Sequence, residues 1–215
     1  MKREAHKAVV RGKIISVARK LFLAQGYQKT KMRQIKEAAS VEIGTIYHFY
    51  RSKEDIFEKI VLEAFFRVLE RTSHFAEGNK LLHLACELSW HVHTMAQHAP
   101  SAELYLMSYN SPDIAAQLLI NQIQRSKTIF GDRFPDRTDE DYKIYAMCAR
   151  GLMQSISLQA VSGTLTEPDL IVRESIQLVF KIMDTPAEET KNVLEALAKL
   201  DIPEKVARVL TTAQK

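Results

Sequence analysis

Apolar residues recur at intervals of three and four along almost the whole chain, the period of helix faces turned toward a core. Val10, Ile14, Val17, Ala18, Leu21 and Phe22 predict a first helix over about Ala5–Ala24. Gly26 stops it, because glycine readily takes the left-handed conformation of a helix C-terminus. Thr30 is the expected N-cap of a second helix over about Lys31–Ala38, with Met32, Ile35 and Ala39 facing inward. Ser40-Val41-Glu42 reads as a tight turn and Gly44–Phe49 as a short third helix. Ser52 and Asp55 have capping-box spacing, so a long fourth helix should start there. It carries Ile56, Ile60, Val61, Ala64, Phe65 and Leu69 and reaches about Phe75.

Beyond Gly78-Asn79 every segment has helical character. The expected helices are Lys80–His98, stopped near Pro100, then Ala102–Tyr109, Pro112–Phe130, Asp139–Ser162 and Glu167–Met183. Thr185-Pro186-Ala187-Glu188 signals a further start, with Thr185 as the cap. Val193, Leu194, Leu197 and Leu200 then form one stripe. Pro203 opens a last turn or two with Val206, Val209 and Leu210. No alternating segment bounded by hairpin turns occurs. The expected class is all-α.

Two short helices around a tight turn are the pattern of a helix-turn-helix, whose second helix enters the DNA major groove. The charge distribution agrees. Residues 1–60 hold fourteen Lys/Arg against six Asp/Glu, a net of +8, while the rest of the chain holds sixteen against twenty, a net of −4. A basic head on a mildly acidic body is the footprint of a polyanion-binding module joined to something else. Cys86 and Cys148 are the only cysteines. They form no CxxC pair, which argues for a reducing compartment and against a cysteine zinc site. No apolar run is long enough to span a bilayer, and the basic, polar start has no apolar core behind it. The expectation is a cytoplasmic protein with no secretory signal and no membrane association.

Particular residues carry a resemblance. They are Ile14, Ala18, Leu21-Phe22, Gly26-Tyr27, Thr30, Met32, Ile35, Ala39, Val41, Gly44-Thr45-Ile46-Tyr47, Phe49 and Ser52-Lys53-Glu54. This set resembles the TetR family of one-component transcriptional regulators, over roughly the first quarter of the chain. The resemblance implies a three-helix helix-turn-helix DNA-binding domain, residues 1–51. It implies a larger helical effector-binding and dimerisation domain, residues 52–215, here with an extra C-terminal helical segment.

The DNA contacts expected on this footing are Thr30, Lys31, Arg33, Gln34, Glu42, Gly44, Thr45, Tyr47, His48 and Lys53. Gly44 lets the backbone approach DNA closely. Thr45 offers a hydroxyl and a methyl to a phosphate or base edge. In relatives the residues matching Tyr47 and Lys53 contact phosphate, and a helix N-terminus adds backbone N–H groups. Thr30 and Lys31 stand at the mouth of the second helix. Arg33 and Gln34 are candidate readers of bases, and His48 is placed to reach either a phosphate or a base. Lys2, Arg3, Lys7, Arg11 and Lys13 form a basic arm. Two positions depart from the family pattern. Lys36 stands where alanine is usual, and Glu42 where serine is frequent. The Glu42 carboxylate is expected to cap the recognition helix, or to accept from cytosine N4.

The resemblance further implies that the body pairs with a second copy through its two late helices, here expected at Tyr145, Ala149, Leu152, Ile156, Val179 and Phe180. A dimer places two recognition helices about one DNA turn apart, roughly 34–36 Å, on a palindromic operator. Trp90, Met95, Met107, Tyr109, Met147 and Met153 are the candidate lining of an effector pocket, although such a set is more often plain core. His83, Glu87 and His91 share one face of a helix at a spacing that metal ligands can use. That face lies opposite the Leu81, Leu84, Leu88, Val92 and Met95 stripe, so a solvated face is preferred and no metal is assigned.

The resulting expectation is a dimeric regulator, most often a repressor, released from its operator by a small molecule. A same-fold DNA-binding factor governed by a protein partner is the alternative. No Ser/His/Asp order, P-loop or dinucleotide fingerprint supports an enzyme, and no cofactor is called for.

Overall fold

A computed structural model describes the backbone of residues 2–213 and the side chains of residues 4–212. The described residues form eleven helices: α1 Lys2–Gln25, α2 Met32–Ala39, α3 Ile43–Phe49, α4 Lys53–Ser73, α5 Lys80–Gln97, α6 Ala99–Asn110, α7 Pro112–Phe130, α8 Asp139–Ser162, α9 Pro168–Ile182, α10 Ala187–Ala198 and α11 Ile202–Ala213. None of them is long and apolar enough to cross a membrane. They group into two compact units, Met1–Phe65 and Phe66–Lys215, with α4 contributing to both.

In the first unit Ile14, Ala18 and Phe22 of α1 meet Ile35 and Ala39 of α2, Ile46 of α3 and Ile56, Phe57 and Ile60 of α4, all buried. Phe22, Tyr27 and Phe57 lock this small core together, with ring centroids 4.9 to 6.2 Å apart. Gly26, at φ 84°, ends α1 in the left-handed conformation that its sequence position called for.

The cap of α2 is Lys31, not Thr30. The Gln34 side chain accepts from the Lys31 N–H at 2.7 Å, which closes the start of the helix. Thr30 is fully buried instead. Its hydroxyl donates to the Gly26 carbonyl at 2.8 Å and accepts from Gln25 at 3.0 Å. At α4 the Asp55 N–H donates to Ser52 Oγ at 3.2 Å, while the Asp55 carboxylate accepts from the Arg51 N–H at 2.8 Å. The reciprocal bond of the expected capping box therefore lands one residue early.

In the second unit α5 is the central rod. Helices α6, α8, α9, α10 and α11 all pack on it. It buries Leu81, Ala85, Leu88, Val92 and Met95, and with them Glu87, Ser89 and His93. Pro100 does more than stop α5. His98 is at once the C-cap of α5 and the N-cap of α6, with Pro100 in the first turn of α6, where a missing N–H costs nothing. The tail is a full helical pair, and α11 runs to three turns where one or two were expected. Val193, Leu197, Ile202 and Val206 join the same core cluster as α5.

Candidate nucleic-acid interface

The recognition helix α3 is short, and one side chain anchors it. Ile46 is fully buried, while Tyr47 is 52 % exposed and Ile43 is 37 % exposed. Burying an isoleucine is worth roughly 2–3 kcal/mol, enough to seat two turns of helix that would not persist alone. The turn before it uses Ser40 in the left-handed region at φ 51°, where its N–H bonds the Glu37 and Lys36 carbonyls. This sets α3 at an angle to α2. Gly44, Tyr47 and His48 are exposed and Thr45 is partly so. A Cβ added at Gly44 would meet nothing within 4 Å. Nothing inside the protein therefore requires glycine at that position.

Lys31, Arg33 and Glu42 are also exposed. Arg33 is paired with Glu37 at 2.9 Å. Three other expected contacts are committed within the head. Thr30 is buried with both hydroxyl functions used, so it is a structural residue and drops out of the surface set. Gln34 is held at the mouth of α2 by Lys31 and by Gln25, 3.3 Å away. Lys53 donates to the Tyr27 and Thr30 carbonyls, both at 2.9 Å, and its ammonium lies 4.0 Å from the Tyr27 ring centroid. Two of its three donors thus fasten the α1–α2 loop to the start of α4, leaving one to turn outward. Burial lowers the Lys53 pKa, and the nearby Glu54 carboxylate opposes that shift.

Glu42 occupies the N-cap position of α3, yet its carboxylate caps nothing. It pairs with Lys36 at 3.4 Å. The expected cap is corrected, and the physical reason is competition from an ammonium within reach. In the arm, Lys7 bonds Glu4 at 2.9 Å and Arg11 lies beside the buried Tyr50 hydroxyl. The side chains of Lys2 and Arg3 lie outside the described residues. Ile43 was missed by sequence reasoning. An exposed isoleucine at the first position of this helix can meet a thymine methyl, and its signal was an apolar residue off the core stripe.

The body rearranges several expectations. Tyr145, Ala149, Ile156, Val179 and Phe180 are buried inside the protomer, and Leu152 is partly buried against the same core. The five buried residues are core and cannot also form a docking face, and Leu152 offers only part of its surface to one. The exposed apolar residues of the two late helices are others: Ile144, Met147, Leu158 and Val161 on α8, and Leu170, Leu178 and Ile182 on α9. On α8 they recur at helical spacing, with Gly151 and Ser155 between them. Among the expected pocket residues Trp90, Met95 and Met153 are buried and Met107 and Tyr109 partly so, but Met147 is 53 % exposed and belongs to this outer stripe.

The His83–Glu87–His91 face is not solvated. Glu87 is 6 % exposed. Arg125 of α7 donates to its carboxylate and, at 2.6 Å, to His83 Nδ1. His83 Nε2 lies 2.9 Å from the Leu69 carbonyl and 3.1 Å from the Thr72 hydroxyl. An imidazole that accepts at Nδ1 and donates at Nε2 is neutral, and burial with the facing Arg125 charge lowers its pKa. His91 Nδ1 accepts from the Tyr105 hydroxyl at 2.5 Å, and burial pushes its pKa down to about 4. Among the described residues no group of three or more His, Cys, Asp or Glu is arranged to hold a metal ion. The face was misread because its partners sit on other helices, α4, α6 and α7.

Residues 14–60 match the family model of bacterial regulatory proteins, tetR family. The HTH-type transcriptional regulator UidR of Escherichia coli (strain K12) is 28% identical over 110 residues, which cover 50% of this chain and 56% of UidR. The match thus spans little more than half the length of that relative. HTH-type transcriptional regulator HbdR of Aromatoleum sp. (strain CIB) is 48% identical over 46 residues, 21% of this chain and 20% of HbdR. Among solved structures, RolR in complex with resorcinol superposes with a TM-score of 0.65 at 15% identity, covering 89% of this chain and 95% of RolR. FadR from Bacillus subtilis in complex with stearoyl-CoA gives 0.60 at 17% identity, covering 79% of this chain and 97% of FadR. At such identities these two establish the fold, an N-terminal helix-turn-helix with a larger helical body. The helix-turn-helix of residues 14–60 is thus similar to that of the tetR family of bacterial regulatory proteins, and the chain as a whole shares the fold of RolR and FadR.

Proposed function

We propose that the protein is a cytoplasmic, homodimeric transcriptional repressor that binds a palindromic DNA operator through α3 and is released by a small molecule bound in its body. Gly44 carries this reading. It sits in the first turn of a seven-residue helix, where alanine would be more stable by up to about 1 kcal/mol, and open space surrounds it. The need for glycine is then external: a backbone that must approach a bulky partner. Around it stand Lys31, Arg33, Thr45, Tyr47 and His48 on a unit of net charge +8 over residues 1–60. Tyr47 and the remaining donor of Lys53 suit phosphates, and Thr45, His48 and Ile43 suit base edges.

The second copy is supported by the exposed stripe on α8 and α9, an apolar surface that a lone protomer leaves in water. Release by a small molecule is supported by relatives of this fold that are complexed with resorcinol and with stearoyl-CoA. The reading is tested by selecting duplexes from a random library with the full chain. Enriched sequences should be palindromic or nearly so, and Gly44→Ala should bind them at least tenfold more weakly while melting no lower than wild type. Selection of no sequence, or undiminished binding by Gly44→Ala, would overturn it. If selection succeeds but no small molecule ever alters binding, the protein-regulated alternative replaces the ligand-responsive one.

A further inference from the structure

The polar face of α5 carries an acceptor that the protein leaves open. Every contact to the Glu87 carboxylate falls on one oxygen. Arg125 Nε lies 3.1 Å from Oε1, Arg125 Nη2 donates to the same atom, and His83 Nε2 stands 3.1 Å from it. Among the described residues Oε2 has no partner, and it is not one of the polar atoms sealed from solvent.

One turn further along α5, His91 presents the complementary group. Its Nδ1 accepts from the Tyr105 hydroxyl, so the neutral ring carries its proton on Nε2. That N–H also lacks a partner among the described residues and is not sealed. Residues four apart on a helix are neighbours, with Cβ atoms about 5–6 Å apart. An open acceptor and an open donor therefore stand side by side.

Aromatic rings surround the pair. Tyr105 packs on His91 with ring centroids 5.4 Å apart, and Tyr145 packs on Phe130 at 5.9 Å. Burial raises the pKa of Tyr105, Tyr109 and Tyr145, and the Glu87 charge adds to the shift at Tyr145. Yet His91, Tyr105 and Tyr109 all keep accessible surface. Side chains that have lost bulk water and still present surface line a concavity.

Charge selects what enters it. Arg125 and Glu87 cancel, and His83 and His91 are neutral. An anion would meet the open Glu87 oxygen, and a cation could not accept from the His91 N–H. A hydroxyl answers both, donating to Oε2 and accepting from Nε2. The tyrosine rings favour an aromatic body.

We propose that this α5 face binds a small uncharged phenol, whose hydroxyl bridges Glu87 Oε2 and His91 Nε2. The proposal rests on the effector reading and gives that ligand a chemical class.

Isothermal titration of the full chain at neutral pH tests it with phenol, toluene, benzoate and benzylamine. Phenol should bind once per protomer, with the other three weaker by about tenfold or more. Glu87→Met/Arg125→Met removes the open oxygen without stranding a buried charge. In that variant phenol should bind no better than toluene, and His91→Leu should weaken phenol by about tenfold or more. The proposal is overturned if phenol does not bind or if any of the other three binds as tightly, and the wild-type series decides this even where a variant fails to fold. It is also overturned if the folded double variant keeps its preference for phenol over toluene. Operator affinity is measured separately. Phenol binding that leaves operator affinity unchanged supports this site and counts against the effector reading; operator release by a molecule without a hydroxyl, with phenol unbound, does the reverse.

Discussion

Lys36 and Glu42 form an ion pair across the helix-turn-helix turn, ammonium to carboxylate 3.4 Å, and these are the two positions at which the chain departs from the family pattern. With the side chains 36 % and 83 % exposed, the pair adds well under 1 kcal/mol to stability. Its effect is on the field that DNA meets, since Glu42 masks a cation beside α3. Glu42→Gln should leave the melting temperature unchanged and strengthen non-specific DNA binding. The plot of log K against log salt should steepen by about one phosphate contact, a slope change of roughly 0.9. A slope equal to wild type would show that Lys36 does not reach phosphate.

Lys53 has a double duty that a surface lysine would not. Its ammonium satisfies the Tyr27 and Thr30 carbonyls before any DNA is present. Lys53→Met should therefore lower the stability of the head by about 1–3 kcal/mol and weaken binding to all sequences alike. Urea unfolding followed beside DNA titration checks this. Loss of DNA affinity at full stability would make the residue a DNA contact alone.

For the proposed dimer, the burial pattern points to the outer stripe of α8 and α9 as the contact. Ile144→Glu/Leu158→Glu should weaken self-association by about two orders of magnitude or more, because each carboxylate would be taken out of water on docking. Helix content should stay unchanged, since both positions are more than half exposed in the protomer. Sedimentation equilibrium decides the point, and a dimer as tight as wild type would place the interface elsewhere.

His91 supplies a pH signature. Its folded pKa is pushed down to about 4 by burial, against a value near 6.5 when exposed. The unfolded chain then binds the extra proton first, so stability is full above pH 6.5 and is lost as pH falls toward 4, by about 3 kcal/mol for this residue. His83, lowered in the same direction, adds to the loss. His91→Gln, which can still accept from Tyr105, should flatten the slope of unfolding free energy against pH by up to one proton between pH 6 and 4.5. An unaltered slope would mean that His91 is protonated in the fold.

Boundaries were more legible than faces. Helix α8 starts and ends where its sequence says, because Thr138 and Asp141 form a local capping box and Gly163 turns left-handed immediately after it. Which side of α8 is interior could not be read, since Tyr142, Tyr145, Met147, Leu152, Met153 and Leu158 surround the helix and only the packed neighbours separate them. On α5 the error was the opposite one. Its polar stripe looked wet because its partner, Arg125, lies 38 residues from Glu87. In the head, the pattern located the recognition helix, but the hydrogen bonds that occupy Thr30, Gln34 and Lys53 depend on a loop folding back on α4. Short-range signals misled at Thr30 and Thr185 for one reason: in each case the residue that follows took the cap.

The enclosure of α5 has a consequence for how the chain is made. The head is finished by residue 65 and can close while the body is still being synthesised. The body cannot. Val193, Leu197, Ile202 and Val206 complete the cover over α5, and they emerge more than ninety residues after it. Until then the apolar cluster that includes Val92 and Met95 lacks part of its cover. A nascent chain would thus carry a formed DNA-binding head on an unfinished body, and removing α10 and α11 would return it to that state.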